Sequence, residues 1–371
     1  MKSNLKYVTY QSFPSLKANT IQTIDNVNYL SKYFKVEVIF PLREQDSTDD
    51  KSVLENFYQL NEKITFNGIT HNYPFGRFNF LNKILFIISH FLWAKKYAKK
   101  ITQTNTDIFF TRSDWIFYFL SLKNKNVTFE CHQLSKIRKF VMKKSISSPN
   151  SKIIFLNKNL LLDSQIDQGK YNQKLVVLHN GVDYELFNPK VEKDNNKIIF
   201  VGNLERFNES RNLEFFISAF NHLNMPDNLT FTIIGHPQKE INKLKTYVVK
   251  NNLEKKVQIL DSLQRKDAIT EIQKSSIGLL INTNNNEHSV RYTSPLKYFE
   301  YLYAGLRVVA VNFPSHHELP FSENILFYEM DNVKSFINAL IKALNAEVPS
   351  IKDTNLITLD HRAKKIFEFI S

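Results

Sequence analysis

The sequence predicts an open α/β protein of two domains, and three observations carry that expectation. Short apolar runs such as KVEVIF at 35–40, DIFFT at 107–111 and VTFEC at 127–131 recur along the chain, separated by longer amphipathic stretches. Runs of this kind, without polar alternation, read as strands buried on both faces of a parallel sheet, and the intervening stretches as crossover helices. The length, 371 residues with 43% apolar composition, suits two domains at roughly 100–200 residues each. A polar stretch at 188–196 divides the two. The expected division is 1–188, 189–355 and a last helix over 356–371.

The elements follow in order. Residues 5–10 form a strand. The loop QSFPSLKAN leads to a helix over 20–33, with Ile21, Ile24, Val27 and Leu30 on one side, and 35–40 is the next strand. This is a strand–helix–strand start to a parallel sheet. Lys17 and Asn19 lie in that first loop, as plain surface residues or, by a family resemblance whose motifs follow, as acceptor contacts. Residues 43–50 are a polar excursion whose DSTDD run is a poor metal motif, being in a loop rather than after a strand. A long helix is expected over 78–100. Its apolar face is wide and its end carries Lys95, Lys96, Lys99 and Lys100, which suits the helix dipole and equally an interfacial helix facing anionic headgroups. Strands at 107–111 and 127–131 flank a helix beginning near Ser113. His132 follows the second of them directly, where open α/β sheets bind ligands. Strands at 153–156 and 175–178 complete the first domain.

The second domain opens with KIIFVGNLERFNESRNLEFF: a strand ending at Val201, a turn at Gly202 and a helix near Arg211. FTIIG, a helix to 251, VQIL, a helix over 266–274 and GLLIN continue the alternation. Then comes YTSPLKYFEYLYAGLRVVAV, residues 292–311. Ser294 suits a helix N-cap, Pro295 the first helical position, and Gly305 the stop. Leu296, Phe299 and Tyr303 repeat at helical spacing. Lys297 and Glu300 lie one turn apart on one face. A lysine has the wrong sign for the start of a helix unless an anion sits there. The pair is therefore either a solvated ion pair or a phosphate-binding lysine with a sugar-binding glutamate. The segment HELPFSENILFYEM (317–330), a helix near 333–344 and a last helix over 355–371 close the chain.

Net charge is +13 and the sequence pI about 9.4, which favours acidic partners such as phosphorylated substrates, anionic lipid or nucleic acid. Against nucleic acid, the lysines are scattered and there is no recognition motif. Cys131 is the one cysteine, so neither a disulfide framework nor a cysteine zinc site is expected. The opening MKSNLKYVTYQSF lacks the apolar core of a signal peptide, and the longest apolar run, 84–93, is interrupted by Ser89 and His90. A cytosolic location is the expectation, with a peripheral place on the inner face of a membrane left open by the helix at 78–100.

Two segments, SPLKYFEYLYAGLRVVA and HNGVDYELFNP (179–189), resemble the motifs of glycosyltransferase family 4, in the subgroup with Ser-Pro-x-Lys ahead of the donor glutamate. The resemblance covers nearly all of the second domain and is looser in the first. It implies the GT-B fold: two Rossmann-like domains facing across a cleft, with a C-terminal helix crossing back to the first. It implies a retaining transfer from a nucleoside-diphosphate sugar, UDP expected ahead of GDP, to a lipid-linked or saccharide acceptor in cell-envelope polysaccharide or glycolipid synthesis. Neither metal nor other cofactor is expected. By the resemblance Glu300 holds the nucleotide ribose, and Thr293, Ser294, Pro295 and Leu296 cradle the phosphates. Lys297 and Arg211 supply charge at the leaving group, with Gly202, Asn203 and Arg206 nearby on the donor side, and His132 contacts the donor sugar. This sequence has Tyr292 where the family has a second glutamate, and Asn203 where it has an arginine. The same fold serves nucleotide-sugar 2-epimerases, for which Glu130 and Glu287 would be the acids; no paired carboxylate motif supports that alternative.

Overall fold

The computed structural model describes residues 2–15, 17–44, 46–60, 64–71, 82–101, 107–206, 209–349 and 354–371, the side chains of Ala18, Lys83 and Arg206 excepted. Two compact units form. The first comprises Met1–Leu178 with Leu359–Ser371, and the second His179–Thr358. The division thus falls ahead of the polar stretch that the sequence suggests. The reason is local: Asn180 is tied into the second unit, its backbone N–H donating to Ser294 Oγ at 3.1 Å and its amide Nδ2 to Ser294 O.

Unit 1 runs β1 (Asn4–Val8), α1 (Ala18–Leu30), β2 (Lys35–Leu42), α2 (Lys51–Tyr58), β3 (Thr65–Thr70), α3 (Asn82–Lys100), β4 (Ile108–Thr111), α4 (Asp114–Ser121), β5 (Val127–Cys131), α5 (Lys136–Ser145), β6 (Ser151–Phe155), α6 (Lys158–Ser164), α7 (Gln168–Tyr171) and β7 (Leu175–Val177). Its sheet is parallel, in the order β3-β2-β1-β4-β5-β6-β7. The strand order reverses between β1 and β4. Side-chain caps fix several helix starts: Asp50 accepts from Ser52 and Val53 N–H, Ser113 from Ile116 N–H, and Ser135 from Arg138 N–H. Such caps satisfy donors that have no partner within the helix. The polar 43–50 run therefore ends in a cap for α2, a helix absent from the sequence expectation, and Asp49 accepts from Gly68 N–H. The start expected for the long helix, 78–81, lies outside the described residues.

Unit 2 runs β8 (Lys197–Asn203), the short strands β9 (Glu205–Arg206) and β10 (Glu209–Ser210), α8 (Leu213–Ser218), β11 (Thr230–His236), α9 (Gln238–Lys250), β12 (Val257–Leu260), α10 (Arg265–Gln273), β13 (Ile277–Leu280), α11 (Leu296–Tyr303), β14 (Arg307–Val311), α12 (Pro314–His317), β15 (Ile325–Tyr328) and α13 (Val333–Asn345). The main sheet is parallel, in the order β12-β11-β8-β13-β14-β15, and it reverses between β8 and β13. Buried side chains on its two faces form two cores, one around Phe216, Phe231 and Phe336, the other around Tyr298, Phe299 and Tyr301.

The last helix, α14 (Leu359–Ile370), belongs to unit 1. Phe367 packs on Tyr33 and Phe34, and Asp360 pairs with Lys32 at 3.3 Å. Its Arg362, 4% exposed, reaches the fully buried Glu130 of β5 and donates to Asn26 Oδ1 at 3.0 Å. Among the described residues no helix is long and apolar enough to cross a membrane.

Candidate active site

The centre of unit 2 is the crevice where its strand order reverses, the place at which open α/β sheets bind ligands. β8 and β13 pair through Ile198–Ile277 and Ile199–Gly278. Beyond that point Tyr301 of α11 takes over the ladder: its hydroxyl accepts from Val201 N–H at 3.2 Å. The ring lies so close over Gly278 that a Cβ there would stand 2.4 Å from it. Glycine at 278 lets α11 settle on the sheet, and α11 in turn supports the carboxyl ends of both strands.

At the start of α11 one expectation needs correcting. Ser294 is not the cap and Pro295 is not the first helical residue. Pro295 holds the cap position with extended backbone, and the helix begins at Leu296. The Ser294 hydroxyl is already engaged by Asn180, so HNGV and SPLK are two sides of one folded turn. Thr293 and Ser294 are buried, 4% and 6% exposed. No side chain caps this helix start, whose first N–H groups have no partners within the helix. At the other end Gly305, with φ +69, provides the left-handed stop.

Lys297 and Glu300 come together on this helix, Nζ 2.6 Å from Oε2. The Glu300 side chain is 6% exposed and that of Lys297 30%. A plain solvated pair would leave both in water; here the carboxylate is inside. Tyr292, where the family likeness asks for a second glutamate, is buried in the core after a single π-turn, His288–Tyr292.

Arg211 precedes α8 rather than beginning it, with Asn212 in left-handed backbone between them. Its Nη1 donates to Ile281 O and lies 3.4 Å from Asn282 Oδ1, so the guanidinium spans from the β8 side to the end of β13. Arg211 also lies over the Phe200 ring at 5.7 Å. Tyr301 senses both ends of the site. Burial chiefly pushes its hydroxyl pKa up; Glu300 adds to the rise and Arg211 opposes it. Arg211, Asn282, Thr283 and Tyr328 line a cavity of about 180 Å³ at the carboxyl ends of β13 and β15. The Thr283 hydroxyl oxygen is buried there without a protein partner. Asn282 is held in turn by His316, which is fully buried: Nδ1 donates to Val311 O at 2.8 Å and Nε2 faces Asn282 Nδ2 at 3.4 Å.

Gly202 does not turn the chain as the sequence suggests: it stays inside β8, paired with Gly235 of β11, and the strand runs on to Asn203, whose Oδ1 accepts from Glu205 N–H at 3.0 Å. The Arg206 side chain lies outside the described residues.

In unit 1, Lys17 and Asn19 are exposed at the start of α1. Asn19 O accepts from Gln11 Nε2 at 3.0 Å. His132 is placed differently from the expectation of a sugar contact, since both ring nitrogens face protein groups. Arg112 Nη2 donates to Nδ1 at 2.7 Å, which leaves Nε2 as the protonated nitrogen, 3.0 Å from Glu130 Oε2. Burial and the Arg112 charge push its pKa down to about 3, against the pull of Glu130. Burial alone would raise the Glu130 carboxyl; Arg362, His132 and Arg112 instead hold it well below the usual carboxylate range. A carboxylate so held is unsuited to the proton exchange an epimerase needs near neutral pH. Glu287 is exposed ahead of the π-turn. Arg112, unremarked in the sequence, stands directly after a strand exactly as His132 does, and the same rule would have found it. Among the described residues, no three His, Cys, Asp or Glu side chains come together as a metal site.

Residues 195–346 match the family described as Glycosyl transferases group 1. No curated protein matches the sequence. Among solved structures, the chain is similar to Anabaena HepE in complex with UDP and glucose, at 14% identity, over 99% of this chain and 95% of that one, with a TM-score of 0.59. It is similar to the sucrose-phosphate synthase of Thermosynechococcus elongatus at 12% identity, over 100% and 95%, with a TM-score of 0.63. It is also similar to WaaG, a glycosyltransferase involved in lipopolysaccharide biosynthesis, at 11% identity, over 98% and 95%, with a TM-score of 0.56. The protein therefore has the GT-B fold, and residues 195–346 of its second unit are similar to the Glycosyl transferases group 1 family.

Proposed function

We propose that this chain is a retaining glycosyltransferase of family 4. It moves a sugar from a nucleoside-diphosphate sugar, UDP-linked rather than GDP-linked, to a lipid-linked or saccharide acceptor in cell-envelope polysaccharide or glycolipid synthesis. The observation that carries the reading is the Lys297–Glu300 pair. A buried carboxylate holds a lysine over an uncapped helix start, beside a strand-order reversal, inside a segment that matches the glycosyltransferase family. The UDP complex of the Anabaena structure supports the choice of nucleotide.

In this reading the donor diphosphate lies against the backbone of 293–296, with the N–H groups of Thr293, Ser294 and Leu296 as donors, where a helix start favours negative charge. An ammonium has three donors; one engages Glu300 and the others reach phosphate oxygens. Arg211 adds charge from the opposite side of the crevice. As the glycosidic bond breaks, negative charge grows on the diphosphate, and cations fixed beforehand stabilise it without reorganising. The departing diphosphate takes the acceptor proton on the same face of the sugar, so catalysis is positioning and electrostatics. Glu300 Oε1 accepts from the ribose hydroxyls. With Lys297 and Arg211 neutralising the diphosphate, the reading needs no divalent ion. Lys17 and Asn19 are assigned to the acceptor, and His132 to fixing Arg112 at the carboxyl end of β4.

Thermal melts across a panel of nucleotide sugars test the assignment, because a ligand of the folded state raises apparent stability. A rise of several degrees with one UDP-sugar is expected. Melting temperatures that no nucleotide sugar moves would overturn the reading.

A further inference from the structure

The helices α3, α4 and α5 lie side by side on unit 1: α3 packs on α4 through Phe91 against Trp115 and Phe119, at 4.8 and 5.4 Å, and α4 packs on α5. Each follows a parallel strand, so each begins at the carboxyl edge of the sheet. Tyr10, just past the end of β1, confirms this for α3, stacking on His90 at 4.5 Å and touching Phe86 at 5.3 Å. At that edge large apolar side chains stand in water. Ile84, Ile87 and Ile88 in the first two turns of α3 are 56%, 48% and 50% exposed. Ile137 and Phe140 in the first turns of α5 are 50% and 53% exposed. With neighbouring helix axes 8–10 Å apart, the two groups stand about 20 Å from each other across α4.

The charge around them has one sign. Neither α3 nor α5 contains an acidic residue, and the single acid of α4, Asp114, faces Arg138 at 3.6 Å. Lys136 and Lys139 adjoin Ile137 and Phe140 on α5, and Lys143 and Lys144 follow in its last turn, Lys143 donating to Gln165 Oε1 at 3.1 Å. The lysines that end α3, from Lys95 onward, lie roughly 16–24 Å along the axis from Ile84 and roughly 10–18 Å from Ile88, at 1.5 Å per residue, whereas Lys136 and Lys139 adjoin Ile137 and Phe140 directly. Exposed isoleucines and a phenylalanine ringed by lysines match a surface that is apolar below and anionic above. A second copy of the chain would set lysines against lysines, and a nucleic acid would leave the apolar side chains unsatisfied.

We propose that this edge of unit 1 rests on an anionic lipid surface, with Ile84, Ile87, Ile88, Ile137 and Phe140 entering the interface and the α5 lysines, not those ending α3, meeting the headgroups. For the proposed transferase, on whose reading this step rests, the acceptor is then lipid-anchored, delivered along the edge where β1 and β4 end.

Co-sedimentation with phosphatidylglycerol and with phosphatidylcholine vesicles tests this, with binding of UDP to each variant measured in parallel. Wild type is expected on the phosphatidylglycerol vesicles alone. Changing Lys136, Lys139, Lys143 and Lys144 together to Gln should weaken that binding at least tenfold, as should Ile137→Ser with Phe140→Ser. Changing Lys95, Lys96, Lys99 and Lys100 to Gln should change it less than threefold. UDP binding should be the same throughout. Wild type that ignores anionic vesicles, loss of binding only with the α3 lysines, or concentration-dependent dimers broken by the Ile137 and Phe140 changes would each overturn the lipid surface. If UDP does not bind, the transferase reading fails on its own, and the vesicle result still decides the surface.

Discussion

Lys297 Nζ and Glu300 Oε2 are 2.6 Å apart on one face of α11, the carboxylate buried and the ammonium reaching outward. The two side chains therefore act as a unit, and their substitutions should not add. Lys297→Ala is expected to lower kcat about 10²-fold, as for loss of one preorganised donor to a developing charge. Glu300→Gln should mainly raise KM for the donor, since the ribose sees no change of charge, with a smaller fall in kcat because Lys297 loses its anchor. Steady-state kinetics of both variants and of the double variant check this. A double variant as impaired as the product of the two singles would show that the pair is not coupled.

Gly278 is the notch that lets Tyr301 reach Val201. A Cβ there would force the ring away, and with it the α11 backbone that carries Lys297 and Glu300. Gly278→Ala is expected to cost about 1–3 kcal/mol of stability, as for an overpacked core, and to weaken donor binding far from any direct contact. Denaturant unfolding and donor titration together test it; unchanged donor affinity would mean that α11 is placed by something else.

Acid should destabilise unit 1. Burial is the chief cause holding His132 down to about 3, and His71 and His90 to about 4, and Glu130 is held below its ordinary range. Each of these groups takes up its proton at a higher pH in the unfolded chain than in the folded one, so stability rises with pH. The histidine contribution is lost as pH falls from about 6.5 towards 4, and the Glu130 contribution below about 4.3, given ordinary values for the unfolded chain. Melting temperatures recorded from pH 7 to pH 4 should fall steadily, and His132→Asn should flatten the slope. A level profile contradicts the account.

Arg362 ties α14 to Glu130. Arg362→Ala leaves the buried carboxylate to His132 and Arg112, 3.0 and 3.8 Å away, and should cost about 3 kcal/mol, whereas Arg362→Met combined with Glu130→Gln should cost much less. Equal losses in the two variants, by denaturant unfolding, would mean that the ion pair does not carry the docking of α14.

Activity is expected to survive chelation with EDTA, because in the proposed reading Lys297 and Arg211 supply the charge that a divalent ion would. Loss of activity that Mg²⁺ or Mn²⁺ restores would reassign that role.

Much of this was legible in the residues. Apolar runs such as VTFEC and LRVVAV mark strands because both faces of a parallel sheet are buried, and β5 and β14 lie where they do. Lys297 and Glu300 were visible from their one-turn spacing. What spacing could not supply was depth. The pattern cannot tell a solvated pair from one whose carboxylate is inside, and Ser294 reads as a cap until Asn180, 114 residues away in the chain, claims its hydroxyl. Helix α2 was hidden because its start is a polar run, legible only once Asp50 is seen to cap it. The engagement of His132 by Arg112 and Glu130 is likewise a meeting of separate strand ends.

The most direct test of the central claim is calorimetric titration of UDP into wild type and Lys297→Ala. In the proposed reading UDP is the leaving group with its charge fully developed, so it should read the cations of the site without any knowledge of sugar or acceptor. The account predicts that wild type binds UDP and that Lys297→Ala binds it at least tenfold more weakly with an unchanged melting temperature. Wild type that binds no UDP, or a variant that binds it as wild type does, would contradict the account.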